Sequence, residues 1–271
     1  MIALIAGTGA LPGLLANALV ARGDPPLICA MLGFAPDVPS ALPRLQFRIE
    51  TLGTLLETLK TAGVTRICMA GAMRRPVIDL GEIDPLTAPL VPVLEAAMAQ
   101  GDDGTLREII AIFEAQGFAV IGADQILPGL LPQPGLLTRV PANLSHQADA
   151  QVGQIEIAAM GRRDVGQACV VGNGVVRARE DAAGTDVMLQ RLAAGRASAR
   201  TSDQAGVLFK APKPGQDRRA DLPVIGVQTA VLAAAAGLSG IVIQAGGVMV
   251  IDLPQVVATL DRHGMFLWVR P

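Results

Sequence analysis

Ile2 to Ala6 is an unbroken apolar run that stops at Gly7-Thr8-Gly9, and apolar residues then recur at Leu11, Leu14, Leu15, Ala18 and Leu19. The run fits a strand buried on both faces, and the three-and-four spacing marks one face of a helix. Pro12 falls near the start of that helix, where its missing amide hydrogen costs nothing. The alternation returns with Leu27 to Leu32 as a strand, Leu52 to Ala62 as a helix and Val64 to Ala70 as a strand ending at Gly71. Strand and helix repeating across short turns call for an open, largely parallel sheet with helices over both faces.

Beyond Gly71 the pattern weakens. Met73 to Gly101 carries Pro76, Pro85, Pro89 and Pro92 and reads as loop with one broken helix. Gly101-Asp102-Asp103-Gly104 then precedes a helix with Leu106, Ile109, Ile110 and Phe113 on one face, and Phe118 to Ile121 is the next strand. Residues Leu127 to Ala142 hold four prolines, a density that fits a connection between domains. The second half opens with a helix from Ser145 to Arg162. Cys169-Val170-Val171 and Val175-Val176 flank Gly172-Asn173-Gly174 as a tight hairpin. Helices are expected around Asp186–Ala194, Gly226–Ala236 and Pro254–His263. Strands are expected at Val207–Phe209, Ile241–Ile243, Val248–Ile251 and Met265–Val269. The class is therefore α/β, with a parallel-sheet domain over 1–135, closing in a proline-rich linker, and a mixed-sheet α/β domain over 136–271.

Composition removes several functions. The 271 residues are 51% hydrophobic and 17% charged, with 22 basic against 24 acidic side chains. A chain this apolar is not disordered, and without basic excess it has little to offer a nucleic-acid backbone. The least polar stretch, Val224 to Val250, is interrupted by Gln228, Thr229, Gln244 and glycines, so it reads as close packing in an α/β interior and not as a membrane span. The N-terminus lacks the basic and apolar regions of a cleavable signal. Cys29, Cys68 and Cys169 are isolated among apolar neighbours and read as buried thiols in a reducing compartment.

Charges being scarce, their clustering is informative. Lys210, Lys213, Gln216, Asp217, Arg218, Arg219 and Asp221 crowd one proline- and glycine-shaped loop after a strand, and two of the three lysines lie there. Loops after strands carry catalytic groups in α/β folds. Lysine and arginine can clamp phosphoryl oxygens, and aspartates can hold Mg2+. The alternative is a solvated connection. Gly7-Thr8-Gly9 reads either as a turn that needs room or as a phosphate or sugar contact at a helix start. A dinucleotide-binding fingerprint would want glycine where Pro12 stands. Glu180 follows a strand and could supply a second carboxylate, while Thr185 or Asp186 could cap the next helix. Asp102 and Asp103 read as capping residues, and Arg74 with Arg75 could reach a phosphate at the sheet edge. His146 and His263 lack zinc spacing and read as hydrogen-bonded helix or surface residues.

The segments Ile5-Ala6-Gly7-Thr8-Gly9-Ala10-Leu11-Pro12, Gly101-Asp102-Asp103, Val120-Ile121-Gly122-Ala123-Asp124 and, above all, Lys210 through Gly226 resemble the two-domain, metal-dependent UDP-2,3-diacylglucosamine pyrophosphatase family of lipid A biosynthesis. The resemblance runs essentially end to end. It implies a Rossmann-like N-terminal domain and a distinct catalytic C-terminal domain, with ligand held between them. The implied reaction hydrolyses the substrate to lipid X and UMP, using Mg2+ and water directed at the sugar-side phosphorus. The family's essential aspartate matches Asp221, with Asp217 close by in the motif, and Lys210 and Lys213 join them as candidate catalytic residues. Gly7, Gly9, Thr185, Gln216, Arg218 and Arg219 are the candidate substrate contacts, and Asp221, Glu180 and Asp186 the candidate metal ligands. The implied partner is a UDP-linked diacylated amino sugar, met by a cytoplasmic protein in transient contact with the inner-membrane surface. Apolar surface that needs covering leaves room for a homodimer. Two other function classes stay open: a non-catalytic UDP-sugar-binding regulator and a dinucleotide-dependent oxidoreductase.

Overall fold

Five consecutive apolar residues give β1 (Ile2–Ala6), buried along its whole length. It lies between two parallel neighbours, β2 (Leu27–Met31) and β4 (Arg66–Ala70). With β3 (Arg44–Phe47) and β5 (Ala119–Ile121) these form a five-stranded parallel sheet of order β3-β2-β1-β4-β5. The computed structural model describes residues 1–74, 77–98, 101–199 and 206–271. They divide into two compact units: Met1–Pro128 with Asp217–Asp221, and Gly129–Gln216 with Leu222–Pro271.

In the first unit the helices are α1 (Ala10–Ala21), α2 (Leu52–Thr61), α3 (Val91–Met98), α4 (Gly101–Ala115) and the single turn α5 (Ala123–Ile126). Leu52, Leu55, Leu56 and Leu59 of α2 meet Ile67 and Met69 of β4 and Phe113 of α4 in one core. At roughly 25 cal/mol per Å² of apolar surface buried, such a cluster is what holds the sheet to its helices. The sequence pattern left β3 unseen. Arg44-Leu45-Gln46-Phe47 is a short edge strand, mostly exposed or half-buried, so its hydrophobic signal is weak. A further correction concerns α4. It starts at Gly101, so Asp102 and Asp103 lie inside its first turn instead of before it, and Asp103 pairs with Arg107 one turn on at 3.0 Å.

The second unit contains β6 (Gly135–Leu136), α6 (Leu144–Gly161), β7 (Ala168–Gly172), β8 (Val175–Arg179), α7 (Thr185–Ala199), β9 (Val207–Lys210), β10 (Val224–Ile225), α8 (Val227–Ala235), β11 (Gly240–Gln244), β12 (Met249–Val250), α9 (Leu253–Arg262) and β13 (Phe266–Arg270). Its six-stranded sheet has the order β6-β13-β11-β9-β7-β8. Here β9, β11 and β13 run parallel, whereas β6 and the β7–β8 hairpin are antiparallel to their neighbours. The hairpin turns on Asn173 and Gly174, both at positive φ (54° and 75°), the geometry of a two-residue primed turn. Asp149 of α6, buried, accepts the Gly174 amide at 2.6 Å and fastens that turn to the helix.

Side chains alternate across this sheet. Leu208, Ile241, Ile243 and Leu267 face α7, α8 and α9. Phe209, Val242 and Phe266 face α6, where Ile157 and Met160 complete a second layer. The proline-rich stretch is more structured than a bare connection, since Gly135-Leu136 pairs with Val269 and Trp268. Two-residue strands such as β6, β10 and β12 are too short for a period to register in sequence. No described helix is long and apolar enough to cross a membrane.

Candidate functional site

In a sheet with parallel strands the carboxyl ends collect on one edge, where ligands bind. In the second unit β9 ends there at Lys210, which is only 7% exposed. Lys210 Nζ donates to Thr185 Oγ1 at 2.7 Å, and Thr185 Oγ1 donates to Glu180 Oε1 at 2.8 Å. The second oxygen, Glu180 Oε2, accepts the Gln167 backbone amide at 2.7 Å. Three sequence-predicted residues thus form one chain of hydrogen bonds, from a buried ammonium through a hydroxyl to a carboxylate.

Local sequence accounts for the placement. Glu180 continues the hairpin ladder, its amide donating to Ala168 O at 2.9 Å. Asp181 then bends the chain, accepting the Ala183 amide on its side chain at 2.8 Å, and Gly184 takes φ 88° before α7 begins at Thr185. Thr185 spends its hydroxyl proton on Glu180 instead of capping the helix. Asp186, in the first turn of α7, accepts from Thr229 Oγ1 of α8 at 3.3 Å, so the starts of two helices lie together. Unpaired amides at helix starts carry partial positive charge, which favours an anion nearby.

The loop after Lys210 is tightly built. Gln216 donates its amide to Lys213 O at 3.2 Å and accepts the Lys213 amide on Oε1 at 2.9 Å. Pro214 and Gly215 at φ 80° fill the centre of that turn. The Lys213 ammonium reaches Asp164 at 2.6 Å. The next five residues pack with the first unit. Arg219 there grips Asp217 with Nε at 3.0 Å and Nη2 at 2.7 Å, and its Nη1 bonds Glu114 of α4. The Arg219 hydrogen bond holds the Asp217 carboxyl below the usual range, and Asp217 with Glu114 raises Arg219. Ala220 packs on the first unit's core, and the Asp221 amide donates to Asp217 O at 3.3 Å. Arg218 is exposed.

The glycine turn has a structural duty. The Gly7 amide donates to Ala70 O at 2.8 Å, and Thr8 exchanges two backbone bonds with Ala72, each 2.9 Å. A Cβ on Gly7 would stand 2.5 Å from Ala72 O, so only glycine fits without shifting backbone. Gly9, at φ 98°, begins α1 with open space around it. Arg74 is exposed, and Arg75 lies outside the described residues.

Among the described residues no three His, Cys, Asp or Glu side chains gather in a metal cage. Both Glu180 oxygens already accept protein donors, and Asp217 is chelated by Arg219. His146 caps α6 with Asn143, its Nδ1 accepting the Asn143 amide at 3.2 Å, and burial lowers its pKa. His263 closes α9. A cavity of about 430 Å³ in the first unit is lined by Ile2, Leu19, Arg22, Asp24 and Arg66, near the starts of β1 and β4, and by Ile121, Gln125 and Ile126 at the end of β5 and in α5. Sequence reasoning missed Thr229, Asp164 and Glu114. Each looks like an ordinary helix or turn residue, and only tertiary packing gives it a partner.

Residues 1–130 match the family model described as the LpxI N-terminal domain, and residues 133–268 match the LpxI C-terminal domain. The chain is also 37% identical over 270 residues to a UDP-2,3-diacylglucosamine pyrophosphatase LpxI of Caulobacter vibrioides, covering 97% of this chain and 95% of that protein.

Proposed function

The chain belongs to the LpxI family, and from that membership we propose that it hydrolyses UDP-2,3-diacylglucosamine to lipid X and UMP, with water attacking the sugar-side phosphorus. The observation that carries this reading is the match of both domain models and of one relative across nearly the whole chain. The carboxyl edge of the second unit supports it chemically. A buried ammonium at Lys210 stands beside the start of α7, a setting suited to negative phosphoryl oxygens. Charge there acts in a low-dielectric environment, where it counts for more than in water.

The residues take the following parts in this reading. Lys210 neutralises charge on the phosphates, and Lys213 adds a second cation. Asp221, with Asp217 beside it in the loop, orients the attacking water or takes its proton. Arg218, Arg219, Gln216, Gly7 and Gly9 are the substrate contacts the sequence motif suggests, and Thr185 meets the substrate only through Lys210, with which its hydroxyl is bonded. UMP leaves as a phosphate monoester, so positioning and charge matter more than a strong acid.

Mg2+ is part of the proposal through the family and through the oxygen chemistry of Asp221 and Asp186. The described carboxylates offer no preformed cage for it, and no step above depends on one. The reading also places the protein in the cytoplasm, touching the inner-membrane surface where a diacylated substrate resides, with a homodimer as its assembly.

The test is release of UMP and lipid X in oxygen-18 water by the wild type and by Asp221→Ala, with and without EDTA. The expected result is heavy oxygen in lipid X, abolished by the substitution and by the chelator. Heavy oxygen in UMP would overturn the attacked phosphorus, and undiminished turnover in EDTA would overturn the metal. Binding of the UDP-sugar without turnover would leave a non-catalytic binding protein.

A further inference from the structure

Glu180, a candidate metal ligand, has both carboxylate oxygens taken by protein donors in the second unit's hydrogen-bond chain. A threonine hydroxyl has one proton and two lone pairs. Since that proton goes to Glu180 Oε1, the Thr185 oxygen turns its lone pairs toward Lys210 Nζ and accepts from it. The Gln167 amide on Oε2 fixes the other end, so the carboxylate cannot rotate without losing a backbone donor. Groups linked this way polarise one another, and the low dielectric around a lysine only 7% exposed strengthens each bond.

From this geometry we propose that Glu180 and Thr185 are positioning residues: together they set the direction of the Lys210 ammonium at the carboxyl end of β9, and Glu180 does not ligate metal. The kinetic consequence rests on the pyrophosphatase reading, in which Lys210 meets phosphoryl oxygens. The structural consequence stands without it. Thr185→Val keeps the shape of the side chain but removes the hydroxyl, whereas Thr185→Ser keeps the hydroxyl. Glu180→Gln keeps one acceptor but sets an amide donor against either the Thr185 hydroxyl or the Gln167 amide.

The chain has three lysines, Lys60, Lys210 and Lys213, so lysine side-chain nitrogen NMR can resolve them individually. The ammonium signal of Lys210 is expected in the wild type and in Thr185→Ser, and is expected to exchange away in Thr185→Val while Lys60 is unchanged. In steady-state assays Thr185→Val and Glu180→Gln should lose about tenfold or more in kcat with KM held, and Thr185→Ser, which keeps the hydroxyl, should recover most of what Thr185→Val loses. The Mg2+ concentration giving half-maximal rate should not move in Glu180→Gln. A Lys210 signal indifferent to Thr185→Val would overturn the proposal. So would a Glu180→Gln enzyme restored by raising Mg2+, which would make Glu180 a metal ligand. A wild type without turnover would sink the reaction instead, and the NMR comparison would still decide the hydrogen-bond chain.

Discussion

Each unit has a parallel sheet, and the two carboxyl edges are finished in opposite ways. In the first unit the crevice beside β1, where strand order reverses, is sealed by backbone: Gly7 bonds Ala70, and Thr8 and Ala72 bridge each other. In the second unit β9 ends on side chains, with Lys210, Thr185 and Glu180 linked in sequence. The same strand-to-loop position is thus closed by backbone bonds in one sheet and ends on linked side chains in the other. A glycine-rich turn is weak evidence of a ligand, because closeness to another backbone asks for glycine just as a phosphate does. A buried lysine is stronger evidence, because burying a charge is costly unless something uses it.

This contrast can be broken by experiment. Lys210→Met should lower kcat about a thousandfold if its charge faces phosphate, while far-ultraviolet circular dichroism stays unchanged; activity near the wild-type level would make the side chains of the second edge structural. Gly7→Ala should cost about 1–3 kcal/mol in urea unfolding, since backbone must shift to admit the new Cβ. Full stability there would mean that the first edge has slack.

A smaller effect concerns acid. Arg219 lowers the folded-state pKa of Asp217 below its unfolded value. That linkage adds stability above the unfolded value near pH 4, and it fades as the pH falls through the folded pKa. Arg219→Met should therefore raise the midpoint of acid unfolding slightly and cost under about 1 kcal/mol at neutral pH, because the pair is partly exposed. An unchanged acid midpoint would show that the pair contributes nothing. The least change is expected from thiol reagents. Burial pushes Cys29, Cys68 and Cys169 to about 12, so native protein should label negligibly and unfolded protein at all three. Rapid native labelling of Cys29 or Cys68 would mean that the first core opens.

The elements that sequence revealed are those with enough residues to declare a period. β1, α2 and the Asn173-Gly174 hairpin could be read from residue type alone, because each meets a local demand of pleat, helix face or turn. The edge strand β3 and the two-residue strands could not, since their pairing is decided by neighbours distant in sequence. The polar loop after Lys210 was legible through its density of charge in a lean chain. Its internal economy was not. Arg219 reads as a phosphate clamp in sequence, yet its guanidinium is gripped by Asp217 and Glu114, and Glu114 lies on a helix 105 positions away. The partnership of Glu180 with Thr185 was equally hidden, although they stand only five positions apart, because it depends on the bend at Asp181 and Gly184.

The first unit is not a continuous stretch of chain: Asp217–Asp221 belong to it, with Ala220 on its core and Arg219 on Glu114. On a ribosome, Pro128 therefore emerges long before that unit can be finished. At a synthesis rate of about 5–20 residues per second, the missing piece follows roughly 5 to 20 seconds later. That interval is a window in which the nascent sheet lacks the Ala220 contact and Glu114 lacks Arg219. A truncated chain ending near Pro128 would keep that window open permanently.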